Sequence, residues 1–267
     1  MSLGTPGSAR VAALELQGVS VRRGALSVFE SLDLRLEPGR SLVVFGENGA
    51  GKSTLIQVAS GQLRPDRGSA WASGRRVDSE LAGRMPTAGT RMLSLLEQPG
   101  LAPSVSALEN VALPLRYHAS TLSLHPEQAQ GLAREALAAL GVYPPDLHSL
   151  PDRLSFGMQR RVALARILAL RPDLVLLDDP LLGVDSESRQ IIERVLRSWV
   201  RDPKLSVLCA TGDRELAARL GTSRADLAAD GLRVDGVRLT HQRSVGGERF
   251  ETQSQSCEAA GDAGMLH

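Results

Sequence analysis

A chain of 267 residues with 42% hydrophobic content is long enough to fill the core of one large domain or two small ones. With 31 Lys and Arg against 30 Asp and Glu, a formal net charge of +1 and 3% aromatic residues, it has neither the basic footprint nor the stacking platform of a nucleic-acid binder. No run approaches the roughly 20 apolar residues needed to span a bilayer, and the opening MSLGTPGSAR lacks the apolar core of a secretory signal. The expected setting is cytosolic, with any membrane association made through a partner.

In chain order, residues 1–10 read as a flexible leader. From Val11 to Leu36 short runs alternate with period two between Gly and Pro stops, which predicts antiparallel strands. SLVVFG is a continuous apolar run ending at Gly46, the pattern of a parallel strand buried on both faces. A helix is expected from Lys52, with Gly61 placed to end it, and RPDRGSAWASGRRV returns to turn and strand chemistry. Between about Met92 and Leu154 the pattern is helical, in SVSALENVALPLRYH and HPEQAQGLAREALAALG. GMQRRVALARILALRP predicts a further helix, with Ser155 as its cap and Pro172 just past its end. DLVLLDDP and LSVLCAT read as buried strands, with Cys209 an ordinary interior residue of the second. ADLAADGLRVDGVRLT reads as a closing hairpin. From Ser244 to the end the chain is polar and rich in Gly, Ser, Gln and Glu, a composition expected of a mobile tail.

The stretch GENGAGKST, Gly46 to Thr54, satisfies G-x-x-x-x-G-K-[ST] between an apolar strand and a helix. Gly46, Gly49 and Gly51 let the backbone bend so that the N–H groups of Glu47, Asn48, Ala50 and their neighbours can face phosphate oxygens. Lys52 can reach terminal phosphates, the Ser53 hydroxyl can meet Mg²⁺, and the helix adds its positive end. Such a cradle implies nucleotide binding.

Further motifs follow in a fixed order: LLEQPG with Gln98, LSFGMQRRVALARIL with Ser155 and Gly157, then LVLLDDP and GVD. This order and spacing resemble the ATP-binding cassette of ABC transporters over about residues 12–240. The resemblance implies an α/β P-loop ABC ATPase fold with a parallel sheet core, an antiparallel β subdomain and a helical subdomain. On that basis the expected division is a leader at 1–10, a nucleotide-binding domain at 11–243 with its helical part at about 92–157, and a disordered tail at 244–267. It also implies ATP and Mg²⁺ as ligands, with Gln98 touching the metal and the membrane partner and Asp178 holding the metal through water. Ser155 and Gly157 would meet the γ-phosphate of ATP on a facing subunit, with Asp185 in the loop that crosses the interface.

The implied partners are a second ABC ATPase subunit, identical or related, and an integral-membrane permease, which would place the chain peripherally on the inner face of the cell membrane. About a hundred residues separate Lys52 from Ser155, too few for the inserted coiled coil of DNA-repair or chromosome-organising relatives. Met158 together with RRVALARILALRPDL resembles the Mla/MCE-type ATPases that move phospholipid across the envelope. Lipoprotein-release and amino-acid-import systems are the alternatives.

Three positions depart from the family pattern. Arg23 stands where an aromatic residue stacks on adenine, and its guanidinium plane can also stack. Asp179 replaces the glutamate that orients the attacking water; it keeps the carboxylate but is one methylene shorter, and a displacement near 1 Å can cost about 10²-fold. Gly212 stands where a histidine touches the γ-phosphate, and none of the five histidines neighbours it in sequence. Lys52, Asp179 and Gln98 remain the expected catalytic set, in a site that either turns ATP over slowly or serves mainly as a nucleotide-binding scaffold or regulator.

Overall fold

The computed structural model describes residues 11–77, 91–125, 127–220, 222–228, 231–234 and 237–238. The leader at 1–10 and the tail at 244–267 lie outside the described residues.

The first third supplies β1 (Leu14–Arg23), β2 (Leu26–Leu36), β3 (Ser41–Gly46), α1 (Lys52–Ala59), β4 (Arg67–Ala72) and β5 (Arg75–Arg76). β1, β2, β4 and β5 form a four-stranded antiparallel sheet in the order β2-β1-β4-β5, as the period-two patterning predicts. α1 ends as expected at Gly61, whose φ of +75° a residue with a Cβ would resist. There the Gly61 N–H donates to the Val58 carbonyl at 3.1 Å and the Gln62 N–H to the Gln57 carbonyl at 2.8 Å.

The remainder supplies β6 (Met92–Leu95), α2 (Ala107–Tyr117), α3 (Gln128–Ala139), α4 (Phe156–Ala169), β7 (Leu174–Asp178), α5 (Ser186–Arg201), β8 (Ser206–Thr211), α6 (Arg214–Leu220), β9 (Ser223–Ala228), β10 (Gly231–Val234) and β11 (Val237–Arg238). Seven strands form the second sheet in the order β11-β10-β9-β3-β8-β7-β6. The five from β9 to β6 run parallel, and the hairpin strands β10 and β11 close one end antiparallel.

Two elements differ from the sequence reading. Met92–Leu95, read as the start of the helical stretch at about 92, is the strand β6 pairing with β7, so the helices begin only at Ala107. An apolar run this short carries no periodicity of its own, and its partner strand decides its state. α5 has no counterpart in the sequence reading, although Ile192, Val195, Leu196 and Trp199 recur at i, i+3, i+4 and i+7 and are all buried.

The parallel sheet has a core on each face. Val43, Val175, Leu177, Val207 and Cys209 point to the side packed by α2 to α6. Leu42, Val44, Leu174, Leu176 and Leu208 point to α1 and the antiparallel sheet. With both faces covered, the polar chemistry is left to the strand ends. Adjacent in the order are β3, β8 and β7, so Gly46, Thr211 and Asp178 finish side by side at the carboxyl edge, the usual place for a ligand in an open α/β sheet.

Candidate nucleotide site

The loop from Gly46 to Gly51 is shaped by what surrounds it. A Cβ on Gly46 would come within 2.9 Å of the Leu227 carbonyl oxygen, and one on Gly51 would press on Val28 and Phe29 of β2 at 2.8 and 3.0 Å. Gly49 and Gly51 have φ of +85° and +98°, and the Ala50 N–H donates to the Glu47 carbonyl at 3.1 Å, closing a tight turn. Lys52 opens α1 and is only 6% exposed. Its Nζ donates to the carbonyls of Gly46 at 3.0 Å and Glu47 at 3.1 Å, so the lysine is curled beneath the loop. Thr54 is buried behind it, and the first N–H groups of α1, with no intrahelical acceptor, are left for an anion.

Beside this loop stand the two aspartates. Asp178, the last residue of β7, is 2% exposed, and its Oδ1 has no hydrogen-bond partner. Burial pushes its carboxyl above the ordinary value, while a hydrogen bond with Ser53 pulls the other way. Asp179 has a φ of +41°, an uncommon conformation for a residue with a side chain, with its N–H donating to the Ala210 carbonyl at 2.8 Å. Its carboxylate is already engaged: Oδ1 accepts from the Gly212 N–H at 2.8 Å, and Oδ2 lies 3.7 Å from Lys52 Nζ. A Cβ on Gly212 would sit 3.5 Å from Lys52 Nζ and 3.6 Å from the Gly46 carbonyl oxygen, so a side chain there would face the cradle. Two of the three departures noted in the sequence, Asp179 and Gly212, are in direct contact.

Gln98 lies exposed in the loop after β6. That loop is fastened to α4 by two arginines. Arg160, fully buried, donates Nη2 to the Glu97 carbonyl at 2.7 Å and Nη1 to the Asp179 carbonyl at 2.9 Å, with its guanidinium 5.3 Å from the Phe156 ring centroid. Burial pulls the Arg160 guanidinium down, against the charges of Asp179, Asp178 and Glu97. Arg166 donates to the carbonyls of Gly100 at 2.9 Å and Pro99 at 3.1 Å. Sequence reasoning missed both; arginines amid the apolar residues of RRVALARIL were the available signal, since a buried guanidinium needs carbonyl or carboxylate partners.

Ser155 caps α4 as expected, its Oγ accepting from the Met158 N–H at 3.2 Å. A Cβ on Gly157 would collide with Asp185 Oδ2 and lie 2.6 Å from Ser188 Oγ. Asp185 in turn caps α5, accepting from the Ser188 N–H and hydroxyl, both at 2.8 Å. Among the described residues no hydrogen bond or ion pair joins Ser155 or Gly157 to the loop of Gly46–Thr54 in the same chain. Arg23 ends β1 and donates to Gln57 Oε1 of α1 at 2.9 Å. The structure therefore gathers Lys52, Ser53, Asp178, Asp179 and Gly212 at one edge, with the loop of Gln98 tied to them through Arg160, and leaves the LSFGM segment elsewhere. No helix of the described residues is long and apolar enough to cross a membrane.

Comparison with known proteins identifies the family and the fold. The family model described as ABC transporter matches residues 29–182, more than half of the chain. Lipoprotein-releasing system ATP-binding protein LolD 1 of Caulobacter vibrioides is 35% identical over 79% of this chain and 88% of its own length. Intermembrane phospholipid transport system ATP-binding protein MlaF of Escherichia coli (strain K12) is 30% identical over 68% of this chain, a match spanning 66% of that protein. Among solved structures, dimeric MJ0796, a bacterial ABC transporter cassette, superposes with a TM-score of 0.72 at 25% identity, covering 84% of this chain and 99% of that one. The chain belongs to the ABC transporter family and is one of its ATP-binding ATPase domains.

Proposed function

We propose that this chain is the ATP-binding subunit of a lipid transporter, pairing with a second ATPase subunit and driving a separate integral-membrane permease from the inner face of the membrane. The lipid assignment is supported by the MlaF relatives, with lipoprotein release the nearest alternative through LolD. The observation that carries the ATP reading is the buried Lys52 curled under its loop beside Asp178.

In this reading residues 46–54 hold the phosphates, Lys52 leaves its carbonyl partners for them, and Arg23 moves from Gln57 to stack on the base. The donor set fits Mg²⁺. Asp178 Oδ1 is a buried oxygen with no partner, the Ser53 hydroxyl is beside the same carboxylate, and hard oxygen donors suit this ion. Bound there with Gln98 as a further ligand, Mg²⁺ would offset phosphate charge. Ser155 and Gly157 act on nucleotide held by the facing subunit, which accounts for their separation from the chain's own loop. The nucleotide-binding unit is taken as residues 11–243, with the tail outside it.

A second reading, a hydrolysis-poor scaffold or regulator, is favoured by the Asp179 carboxylate. It is tied to the Gly212 N–H and lies near Lys52 rather than presenting both oxygens to a water. One experiment covers both readings: Mg-ATP binding and phosphate release measured on the purified chain, with Lys52→Ala as control. Binding lost in the control with slow turnover in the native chain supports the proposal. Unchanged binding in the control defeats it.

A further inference from the structure

Beside the phosphate loop a cavity of roughly 640 Å³ is lined by Glu47, Asn48, Gly212, Asp213 and Arg214, with Phe45 at its wall. Two guanidinium groups border it, and their situations differ. Arg189 is neutralised by Asp213 and Glu193. Arg214 forms no ion pair or hydrogen bond among the described residues; it is exposed, and its guanidinium rests 4.6 Å from the centroid of the Phe45 ring. Phe45 lines the same cavity as Glu47 and Asn48 of the loop, so the cation sits beside the cradle. Two residues away, Gly212 leaves open the ground from which a side chain would face Lys52 Nζ and Asn48.

We propose that Arg214 supplies the positive contact to the γ-phosphate of a nucleoside triphosphate that Gly212 cannot, reaching it across the cavity between Gly212 and Asn48; this rests on the ATP-binding reading of the same site. Three features favour it. A face contact with the half-buried Phe45 ring, with no ion pair beside it, holds the guanidinium weakly, so little is lost when it swings away. Guanidinium geometry matches phosphate oxygens in a paired contact. The path is clear because the Gly212 side has only backbone, and the Gly212 N–H is held back by Asp179 Oδ1 at 2.8 Å. Arg214 would thus favour ATP over ADP without repairing the short carboxylate at 179.

The test compares nucleotides that differ in the terminal phosphate. Affinities of the full-length chain for ADP and for an imido-bridged, non-hydrolysable ATP analogue are measured with Mg²⁺ for the native protein, Arg214→Gln and Arg214→Lys. The expected result for Arg214→Gln is a loss of roughly tenfold or more in analogue affinity with ADP affinity unchanged, and Arg214→Lys, which keeps the charge without the paired donors, recovers only part of it. Because Arg214 is exposed at the start of α6, the variants are expected to keep the native melting temperature. An analogue-to-ADP ratio that stays the same in Arg214→Gln overturns the proposal. Failure of the native chain to bind either nucleotide overturns the ATP reading along with it.

Discussion

Lys52 has three claims on its ammonium: the carbonyls of Gly46 and Glu47 and, at 3.7 Å, the carboxylate of Asp179. Its removal takes away the main charge for the phosphates while leaving a small buried void, so Lys52→Ala should lower Mg-ATP affinity by about 10²-fold. Calorimetric titration would show it, with the fold checked by circular dichroism. Asp178 gives the complementary prediction. Its Oδ1 is buried without a partner, so a neutral isostere relieves a charge that Ser53 and Lys52 compensate only in part. Asp178→Asn should raise the melting temperature of the nucleotide-free chain by about 2–4 °C, the shift that ~1 kcal/mol gives at this size, while abolishing the further rise on adding Mg-ATP. A melting temperature that falls in the variant would contradict this. At this scale the sequence singled out Lys52, Ser53 and the two aspartates by residue type and motif, and the structure brings them to one edge. The sequence was silent on Asp179 meeting Gly212, because residues 33 apart are joined by the pairing of β7 with β8, which no local pattern announces.

Among the elements, the junction of α4 and α5 carries the most information. Gly157 is required there by close approach: a Cβ would strike the Asp185–Ser188 pair that caps α5. Gly157→Ala should cost about 1–3 kcal/mol in a urea unfolding experiment, the usual penalty for overpacking. Any larger group at 157 therefore disturbs its own chain before it meets a nucleotide on a facing subunit. Asp185 adds a pH dependence. Hydrogen bonds from the Ser188 N–H and hydroxyl hold its carboxyl below the ordinary value. A depressed folded-state value means stability that is present above the unfolded value, about 3.9, and is lost as pH falls through the folded one. Asp185→Ala should cost about 1 kcal/mol at pH 7, as caps do, and the gap from the native chain should close below about pH 4. A gap that persists at acid pH would show that the cap is not the cause. Neighbouring sequence explains what could be read at this scale. Ser155 announces α4 because its cap is local, whereas α5 went unread despite its apolar spacing, and the state of Met92–Leu95 is fixed only by β7 alongside it.

Across the whole molecule, the groups that would form a chain's own nucleotide site and those that, in the proposed reading, it would offer to another lie apart. The carboxyl edge of the sheet holds Lys52, Asp178, Asp179 and Gly212, and the start of α4 holds Ser155 and Gly157 with no bond between the two sets. Asp179 and Gly212, two of the three departures, fall in the first set. A chain built this way should turn over ATP slowly at its own site, yet still complete the site of a partner that carries glutamate and histidine at the equivalent positions. The discriminating measurement is steady-state phosphate release from the native chain and from Asp179→Glu with Gly212→His. The longer carboxylate would carry its oxygens beyond the Gly212 N–H, and a side chain at 212 has room, with its Cβ 3.5 Å from Lys52 Nζ. Recovering a general base and a γ-phosphate contact together should raise turnover by about 10²-fold or more. Each single change should give less than its share, since a histidine at 212 must compete with Arg214 for the same phosphate, and a glutamate at 179 without it still faces an open cavity. Rapid hydrolysis by the native chain with no gain on restoration would mean that the short carboxylate is sufficient, and the division between a weak own site and an intact offered one would fall.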